Sequence, residues 1–325
     1  MTLTELLESV RRIEVRTNRL VNDTMVGAYL SHFKGRGMDF EELREYIPGD
    51  EVRDIDWNVT YRMGRPFVKR YREERELAMV LAVDVSASSD FGSLSRTKRE
   101  FAAEIAGTLA ISAARSSDKI ALLLFTDQVE LYLPPRKGRR HILRILREII
   151  AYQPKRRATS IPAALTFLNH VLHRRSMIFL LTDFLHSPGA GLPGSAGIPA
   201  GESSKLSGHT GKDAGTSGRD TLQELGLTNS RHDLVCLHLH DPRESVLPRA
   251  GLVTIEDAET GEMLELDSSR PGVRSRFAKT NAQRLAELDR AFQRAGVETL
   301  RFSTAESFAQ TLQHFFETRK GRRRG

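Results

Sequence analysis

Short apolar runs alternate with longer amphipathic stretches from residue 77 to residue 318. The runs have the length and near-continuous hydrophobicity of strands that are buried on both faces of a parallel sheet. They span residues 77–83, 120–125, 177–181, 234–239 and 297–302. Between them, apolar side chains recur at helical spacing in residues 95–115, 139–152 and 161–172. This alternation predicts a doubly wound, mainly parallel α/β sheet with helices on both faces.

The pattern before residue 77 is different. Residues 3–22 place apolar side chains at helical spacing among charged ones, which predicts an amphipathic helix. From residue 27 to residue 71, glycines and prolines punctuate short segments that carry aromatic residues, which is typical of a small module of loops and strands. We therefore divide the chain into an N-terminal helix plus module, residues 1–76, and an α/β domain, residues 77–318.

Three further segments depart from the α/β alternation. Residues 187–230 contain 10 Gly, 7 Ser and 3 Pro without an aromatic side chain, which predicts a flexible insertion with a short helix at 221–227. Residues 251–267 carry two apolar segments around Thr260-Gly261, which predicts a β-hairpin. Residues 305–319 predict a terminal helix, and the basic tail 319–325 is expected to be disordered.

Composition narrows the class of protein. With 39% hydrophobic and 28% charged residues, the 325-residue chain has the composition of a soluble globular protein. No apolar run approaches the roughly 20 residues that span a bilayer, and the N-terminus lacks the form of a secretory signal. The single cysteine, Cys236, excludes an internal disulfide framework and suits a reducing compartment. We therefore expect a cytoplasmic protein.

The formal net charge is +7, and part of the excess lies in the segment from Arg62 to Arg75. A positive surface of this kind attracts nucleic acid, anionic lipid or an acidic protein. Neither a zinc-finger spacing nor an RNA-binding aromatic motif nor a Gly-rich phosphate loop accompanies it. A nucleic-acid-binding module that uses this basic segment is the alternative function kept open by the sequence.

The first predicted strand runs directly into Asp84-Val85-Ser86-Ala87-Ser88. One carboxylate and two hydroxyls from a single tight loop are oxygen ligands of the kind that Mg²⁺ binds. Open α/β sheets bind ligands at the carboxyl ends of their strands, where this loop is expected to lie. The competing interpretation is that Ser86, Ser88 and Asp90 cap a helix.

Two more oxygen ligands are predicted at the same sheet edge. Thr159 lies in a loop just before a predicted helix, whose first turn accommodates Pro162. Asp183 follows the predicted strand 177–181. Because the carboxyl ends of parallel strands meet at one edge, we expect Thr159 and Asp183 to lie near Asp84.

This arrangement resembles the metal-ion-dependent adhesion site of von Willebrand factor A domains. The flanking sequence is similar to a bacterial family with such a domain, catalogued as domain-of-unknown-function family fifty-eight and often encoded beside MoxR-type AAA+ ATPases. The similarity is carried by residues 35–40, 44–50 and 53–57, and by Gly64-Arg65-Pro66 and Glu73-Glu74-Arg75.

The resemblance implies a metal site and a mode of action. Ser86 and Ser88 would bind Mg²⁺ (or Mn²⁺) directly, Thr159 would do so in the partner-bound form, and Asp84 and Asp183 would act through waters. An acidic side chain of a partner protein would complete the coordination. The chain is then expected to be a non-enzymatic adaptor that works with a MoxR-type AAA+ ATPase on an unidentified client protein.

An enzyme remains the other alternative. A metal-dependent hydrolase would need a general base beside the ion, and the sequence offers no second carboxylate cluster for that role. The chain also has no Walker A motif, so the ATPase would supply the energy for remodelling.

Overall fold

The computed structural model describes residues 8, 11–15, 17, 37–74, 78–94, 96–185 and 218–322. The strands, in chain order, are β1 (Gly37–Glu45), β2 (Phe67–Glu74), β3 (Ala78–Asp84), β4 (Lys119–Phe125), β5 (Val129–Arg136), β6 (Met177–Thr182), β7 (Asp233–His240), β8 (Leu252–Glu256), β9 (Met263–Asp267) and β10 (Glu298–Ser303). The helices are α1 (Trp57–Met63), α2 (Lys98–Arg115), α3 (Arg139–Ala151), α4 (Ile161–Val171), α5 (Gly218–Arg231), α6 (Pro242–Ser245), α7 (Pro271–Ala295) and α8 (Ala309–Arg322).

A six-stranded sheet forms the centre of the α/β domain, with the strand order β10-β7-β6-β3-β4-β5. All neighbouring strands are parallel except β4 and β5. The predicted doubly wound, mainly parallel α/β fold is therefore confirmed. In the central pair, Val83 of β3 lies opposite Leu181 of β6, so Asp84 and Thr182 leave the sheet side by side.

The sheet is buried on both faces because its strands alternate between two hydrophobic clusters. In β3, Met79, Leu81 and Val83 pack on the side of α2, α3 and α8. Val80 and Ala82 pack on the other side, against α4 and α7. Burial on both faces explains why this strand is apolar at every position up to Asp84.

Besides the four-residue helix α6, two elements of the domain were not predicted. Strand β5 is the antiparallel edge, and most of its residues are only half-buried, so it lacks the continuous apolar run used to identify strands. Helix α7 is 25 residues long, but the polar Asn281 and Arg284 interrupt its buried face. Periodicity fails for both because their hydrophobic positions are few or are mixed with polar ones.

The predicted insertion and tail also differ from expectation. The short helix predicted at 221–227 is part of the 14-residue α5, whose Leu225 is completely buried, so this end of the insertion packs on the domain. Residues 187–217 and 323–325 lie outside the described residues. Helix α8 continues to Arg322, beyond the predicted start of the tail at residue 319.

The N-terminal module contains an antiparallel pair, β1 and β2, with α1 between them in sequence. Asp56 begins α1 by accepting hydrogen bonds from the backbone of Asn58 and Val59. Arg44 pairs with Asp50 at 2.6 Å, within the module. In the stretch predicted as a hairpin, β8 and β9 pair antiparallel. No helix among the described residues has both the length and the hydrophobicity needed to cross a bilayer.

Candidate metal centre

Asp84 is the last residue of β3, and its side chain is fixed from two directions. The residue is only 4% exposed. Its Oδ1 accepts a hydrogen bond of 2.9 Å from the backbone N–H of Ser86. Its Oδ2 accepts one of 2.6 Å from the hydroxyl of Thr182, at the end of the neighbouring strand β6. The carboxylate is therefore oriented both by its own loop and by the adjacent strand.

The hydroxyls of Ser86 and Ser88 lie 3.2 Å apart in the buried loop that follows β3. This loop forms a 3₁₀ turn, Ala87–Asp90, and Ser86 precedes the turn without a side-chain capping bond. Helix α2 is instead capped by Thr97, in a reciprocal capping box with Glu100. The helix-capping interpretation of the two serines is therefore wrong, and both hydroxyls face each other at the sheet edge.

The loop that carries Thr159 is bonded to the serine loop. The backbone N–H of Ala87 donates to the carbonyl of Arg157 at 3.0 Å, two residues before Thr159. Within the described part of the chain, the Oγ1 atom of Thr159 is buried without a hydrogen-bond partner. Burying an unpaired hydroxyl costs about 1–3 kcal/mol, so this atom is an unfavourable feature of the protein without a ligand.

Asp183 directly follows β6 and is 5% exposed. Its Oδ1 accepts from the backbone N–H of Leu185 at 2.9 Å, and its Oδ2 accepts from Nζ of Lys98 at 2.5 Å. The nearby Ser88 hydroxyl also contributes to keeping the pKa of Asp183 low. The structure therefore connects Asp84 to Ser86 and Ser86 to Ser88 by hydrogen bonds, with the Thr159 loop bonded alongside and Asp183 at the end of the neighbouring strand.

The two carboxylates differ in electrostatic environment. Burial, together with the negative charge of Asp183, raises the pKa of Asp84 to about 6. Burial also pushes the pKa of Asp183 upward, but the ammonium of Lys98 outweighs this effect and leaves that pKa below its ordinary value. In the metal-free protein, Asp183 is therefore the firmly ionised member of the pair and Asp84 the more readily protonated one.

Lys98 and Glu244 belong to the site but were not predicted. The ammonium of Lys98, at the start of α2, bonds to both Asp183 and Glu244. Glu244 lies in the short helix α6, and its other oxygen accepts from the backbone N–H of Asp241 at 2.9 Å. In the sequence, Lys98 resembles an ordinary polar residue of a first helical turn, so no local signal identifies it.

Asp241 holds this second carboxylate in place. It follows β7 directly, is fully buried, and accepts hydrogen bonds from the backbone of Ser93 and Arg243 and from the hydroxyl of Thr304. Its position after an apolar strand is the same signal that identified Asp183, so the sequence could have indicated it. Asp241 thereby joins the loop before α2 to the ends of β7 and β10.

The donor set fits a hard divalent cation. Three hydroxyls and two carboxylates suit Mg²⁺ or Mn²⁺ and are poor ligands for zinc. Over the described ranges, no group of three or more His, Cys, Asp or Glu side chains has metal-binding geometry, so a cation here would depend on the hydroxyls. Cys236 is buried inside β7, and burial raises the pKa of its thiol, which leaves it an unreactive apolar side chain.

The basic segment of the module is partly neutralised by acidic neighbours. Arg65 pairs with Glu45 at 2.8 Å, and Lys69 pairs with Asp56 at 3.0 Å. In strand register, Arg72 of β2 lies opposite Asp39 of β1. The two ion pairs give the described part of the segment around Arg65 and Lys69 a mixed charge rather than the continuous positive face that binds phosphate backbones.

Comparisons with known proteins give relatives that are matched over most of both chains. The chain is 27% identical over 319 residues to the uncharacterized protein Mb1516 of Mycobacterium bovis, a match that covers 97% of this chain and 90% of that protein. The uncharacterized protein Rv1480 of Mycobacterium tuberculosis matches to the same extent, again 27% over 319 residues.

Among solved structures, the conserved hypothetical protein BatB from Bacteroides thetaiotaomicron aligns with 76% of this chain and 99% of its own, at 11% identity and a TM-score of 0.41. The SpRpn10 VWA domain aligns with 73% of this chain and 93% of its own, at 10% identity and a TM-score of 0.33. Likenesses at these TM-scores carry no argument, so the fold assignment rests on the sheet itself.

The resemblance found in the sequence motifs agrees with a match to a family model. The model described as "Protein of unknown function DUF58" matches residues 42–287, which include the second half of the N-terminal module and all five predicted ligands. The match covers more than half of the chain, and the chain therefore belongs to the DUF58 family.

Proposed function

We propose that this protein is a non-enzymatic adaptor that binds partner proteins through a divalent cation at the edge of its sheet. The observation that carries the proposal is the buried Oγ1 of Thr159, which has no hydrogen-bond partner in the described chain and lies in a loop bonded to the Ser86–Ser88 loop. Ser86, Ser88 and Thr159 would hold Mg²⁺ or Mn²⁺, with Asp84 and Asp183 acting through waters.

The chemistry of the donors explains why such a site would attract a partner. A bound Mg²⁺ or Mn²⁺ supplies concentrated positive charge, and the neutral hydroxyls around it compensate little of that charge. An acidic side chain from another protein is then a favourable additional ligand. The role of the chain's own residues would be to supply the hydroxyls to the ion and to orient the two carboxylates beside them.

The family resemblance suggests the partners. A MoxR-type AAA+ ATPase would provide the energy, and the adaptor would connect it to a client protein that is assembled, matured or remodelled. We place this activity in the cytoplasm, where a protein with a single buried cysteine needs no oxidising environment.

The proposal is tested by capturing a MoxR-type AAA+ ATPase from the same organism on the immobilised chain, with Mg²⁺ or with EDTA. Capture should require Mg²⁺ and should fall sharply in Ser86→Ala. Ser112→Ala is the matched control, because that buried serine bonds only to its own helix at Thr108. Unchanged capture in EDTA would overturn the metal-dependent mechanism.

A direct titration with Mn²⁺, followed by electron paramagnetic resonance, separates the two parts of the proposal. Ion binding that is lost in Ser86→Ala, without capture of the ATPase, would retain the metal site and reject this partner. Absence of ion binding in both proteins would reject the metal site itself.

A further inference from the structure

Lys98 occupies a position that is unfavourable for a lysine. It is the first residue of α2, where the positive end of the helix dipole disfavours a cation. It is also only 2% exposed, and an unpaired buried ammonium is strongly disfavoured. Such a residue is stable only where fixed negative charge surrounds it, and here that charge comes from Asp183 and Glu244.

The ion pairs place this ammonium against the candidate metal ligands. Nζ of Lys98 bonds directly to Oδ2 of Asp183, at 2.5 Å. Asp183 follows Thr182, whose hydroxyl bonds to Asp84, and the charge of Asp183 raises the pKa of Asp84. A divalent cation bound at Ser86 and Ser88 would therefore share Asp183 with a second positive charge that cannot leave.

Glu244 has the opposite effect to Lys98 on a bound divalent cation, because its negative charge attracts the ion. Its carboxylate contacts the same ammonium and is held by the backbone N–H of Asp241, so it is a fixed negative charge behind Lys98. Removing Lys98 would leave Asp183 and Glu244 as unpaired buried carboxylates beside the site. Removing the charge of Glu244 would leave the ammonium facing Asp183 alone.

We propose that Lys98 is a built-in counter-cation that limits the affinity of the free protein for divalent metal, so that firm binding requires a carboxylate from a partner. The inference rests on the proposed function, because it assumes the metal site. It assigns Lys98 a positioning and tuning role: the side chain orients Asp183 and offsets its charge without touching the ion.

The test is Mn²⁺ binding to the full chain, without any partner, followed by electron paramagnetic resonance. Lys98→Met should bind Mn²⁺ at least about tenfold more tightly than wild type, because a nearby positive charge has been removed. Glu244→Gln should bind it more weakly, by about threefold or more, because a negative charge has been removed. A purely structural role would instead weaken binding in both variants.

Arg96→Met is the matched control. Arg96 is also a largely buried cation near the start of α2, but it pairs with Glu104 at 2.6 Å, and no contact with the five candidate ligands is found among the described residues. Its Mn²⁺ affinity should equal that of wild type. If Lys98→Met does not fold, Lys98→Gln takes its place, because it removes the charge but keeps a hydrogen-bond donor for Asp183; binding no tighter than wild type in that variant overturns the inference.

The outcomes also separate this inference from the function on which it rests. If wild type binds Mn²⁺ and Lys98→Met binds it no more tightly, the role of Lys98 is rejected while the metal-dependent adaptor stands. If neither protein binds Mn²⁺, the metal site is rejected and the inference falls with it. Tighter binding in Lys98→Met with weaker binding in Glu244→Gln supports both.

Discussion

The hydroxyl of Thr182 donates a hydrogen bond of 2.6 Å to Oδ2 of Asp84 across the two central strands of the sheet. This contact favours the ionised carboxylate, against the burial that raises its pKa. It also turns the other oxygen, Oδ1, toward the backbone N–H of Ser86 at the start of the serine loop. The pairing of β3 with β6 therefore sets the orientation of Asp84 and, through it, the position of Ser86.

Thr182→Val tests this relationship. The substitution removes the donor while keeping the shape of the side chain, so it should cost about 1–2 kcal/mol in the free energy of unfolding. It should also weaken Mn²⁺ binding several-fold, because Asp84 loses a contact that stabilises its charge and orientation. Urea unfolding and Mn²⁺ titration measure the two effects. Full affinity in the variant would show that Thr182 does not position Asp84.

In the absence of metal, the raised pKa of Asp84 should make the stability of wild type depend on pH, and Asp84→Asn should remove this dependence. The folded pKa of Asp84, about 6, lies above its ordinary value of 3.8, so the folded protein holds the proton more tightly than the unfolded chain does. The stability of wild type should therefore fall as pH rises from about 4 to 6 and then level off. Asp84→Asn has no ionisable group at this position, so its stability should not fall in this way.

The comparison is made by urea unfolding of both proteins in EDTA between about pH 4 and pH 7. The variant should gain up to about 3 kcal/mol relative to wild type across this range, the free-energy equivalent of the pKa difference. Burial accounts for most of the raised pKa of Asp84, the negative charge of Asp183 adds to it, and the hydrogen bonds from Thr182 and Ser86 oppose it. A constant difference between the two proteins would contradict the raised pKa.

A residue of the candidate site can be predicted from the sequence when a local motif marks it, and not when its partners lie far away along the chain. Asp84, Ser86 and Ser88 lie within five residues after an apolar strand, and Asp183 ends another strand, so local pattern and parallel topology locate them. Lys98 lies 85 positions from Asp183 and 146 from Glu244. Its ion pairs depend on where α2 packs against β6 and α6, which no local pattern encodes.

The strands and helices that were predicted differ from those that were not in how much of their surface is buried. Buried strands such as β3 and β6 are recognisable because every position contacts apolar neighbours. The edge strand β5 and the helix α7 bury only part of their surface, and α7 buries Arg284 among its apolar residues. Sequence periodicity reports hydrophobic burial, and it fails where polar side chains are buried too.

Asp241→Ala should be among the most destabilising single changes in the domain. The substitution leaves buried donors of Ser93 and Thr304 without their acceptor, so we expect a loss of about 3 kcal/mol or more in the free energy of unfolding. The control is Asp257→Ala, because Asp257 accepts only from backbone groups of a turn outside the central sheet. That change should cost about 1 kcal/mol.

The measurement for Asp241 is urea unfolding, accompanied by Mn²⁺ titration of the folded variant. Loss of Asp241 removes the backbone arrangement that holds Glu244, so the affinity for Mn²⁺ should also change. Equal destabilisation by Asp241→Ala and Asp257→Ala would mean that the hydrogen bonds of Asp241 do not hold the ends of β7 and β10 together.

Thr159→Val separates folding from partner binding. Because the Oγ1 of Thr159 is buried and has no hydrogen-bond partner in the described chain, replacing it should not lower the free energy of unfolding and should raise it by about 1 kcal/mol. Thr126→Val provides the contrast: its hydroxyl bonds to Glu130 at 2.9 Å, so this variant should lose about 1 kcal/mol. Urea unfolding of the two variants measures the difference.

Capture of the ATPase should show the reverse order. We expect Thr159 to bind the cation in the partner-bound form, so Thr159→Val should lose most Mg²⁺-dependent capture while Thr126→Val keeps it. Mn²⁺ binding to the free Thr159→Val protein should stay within about threefold of wild type, because Thr159 is expected to bind the ion only in the partner-bound form. A threefold change in affinity corresponds to less than about 1 kcal/mol. Normal capture by Thr159→Val would remove Thr159 from the ligand set, because its hydroxyl would then contribute to neither stability nor binding.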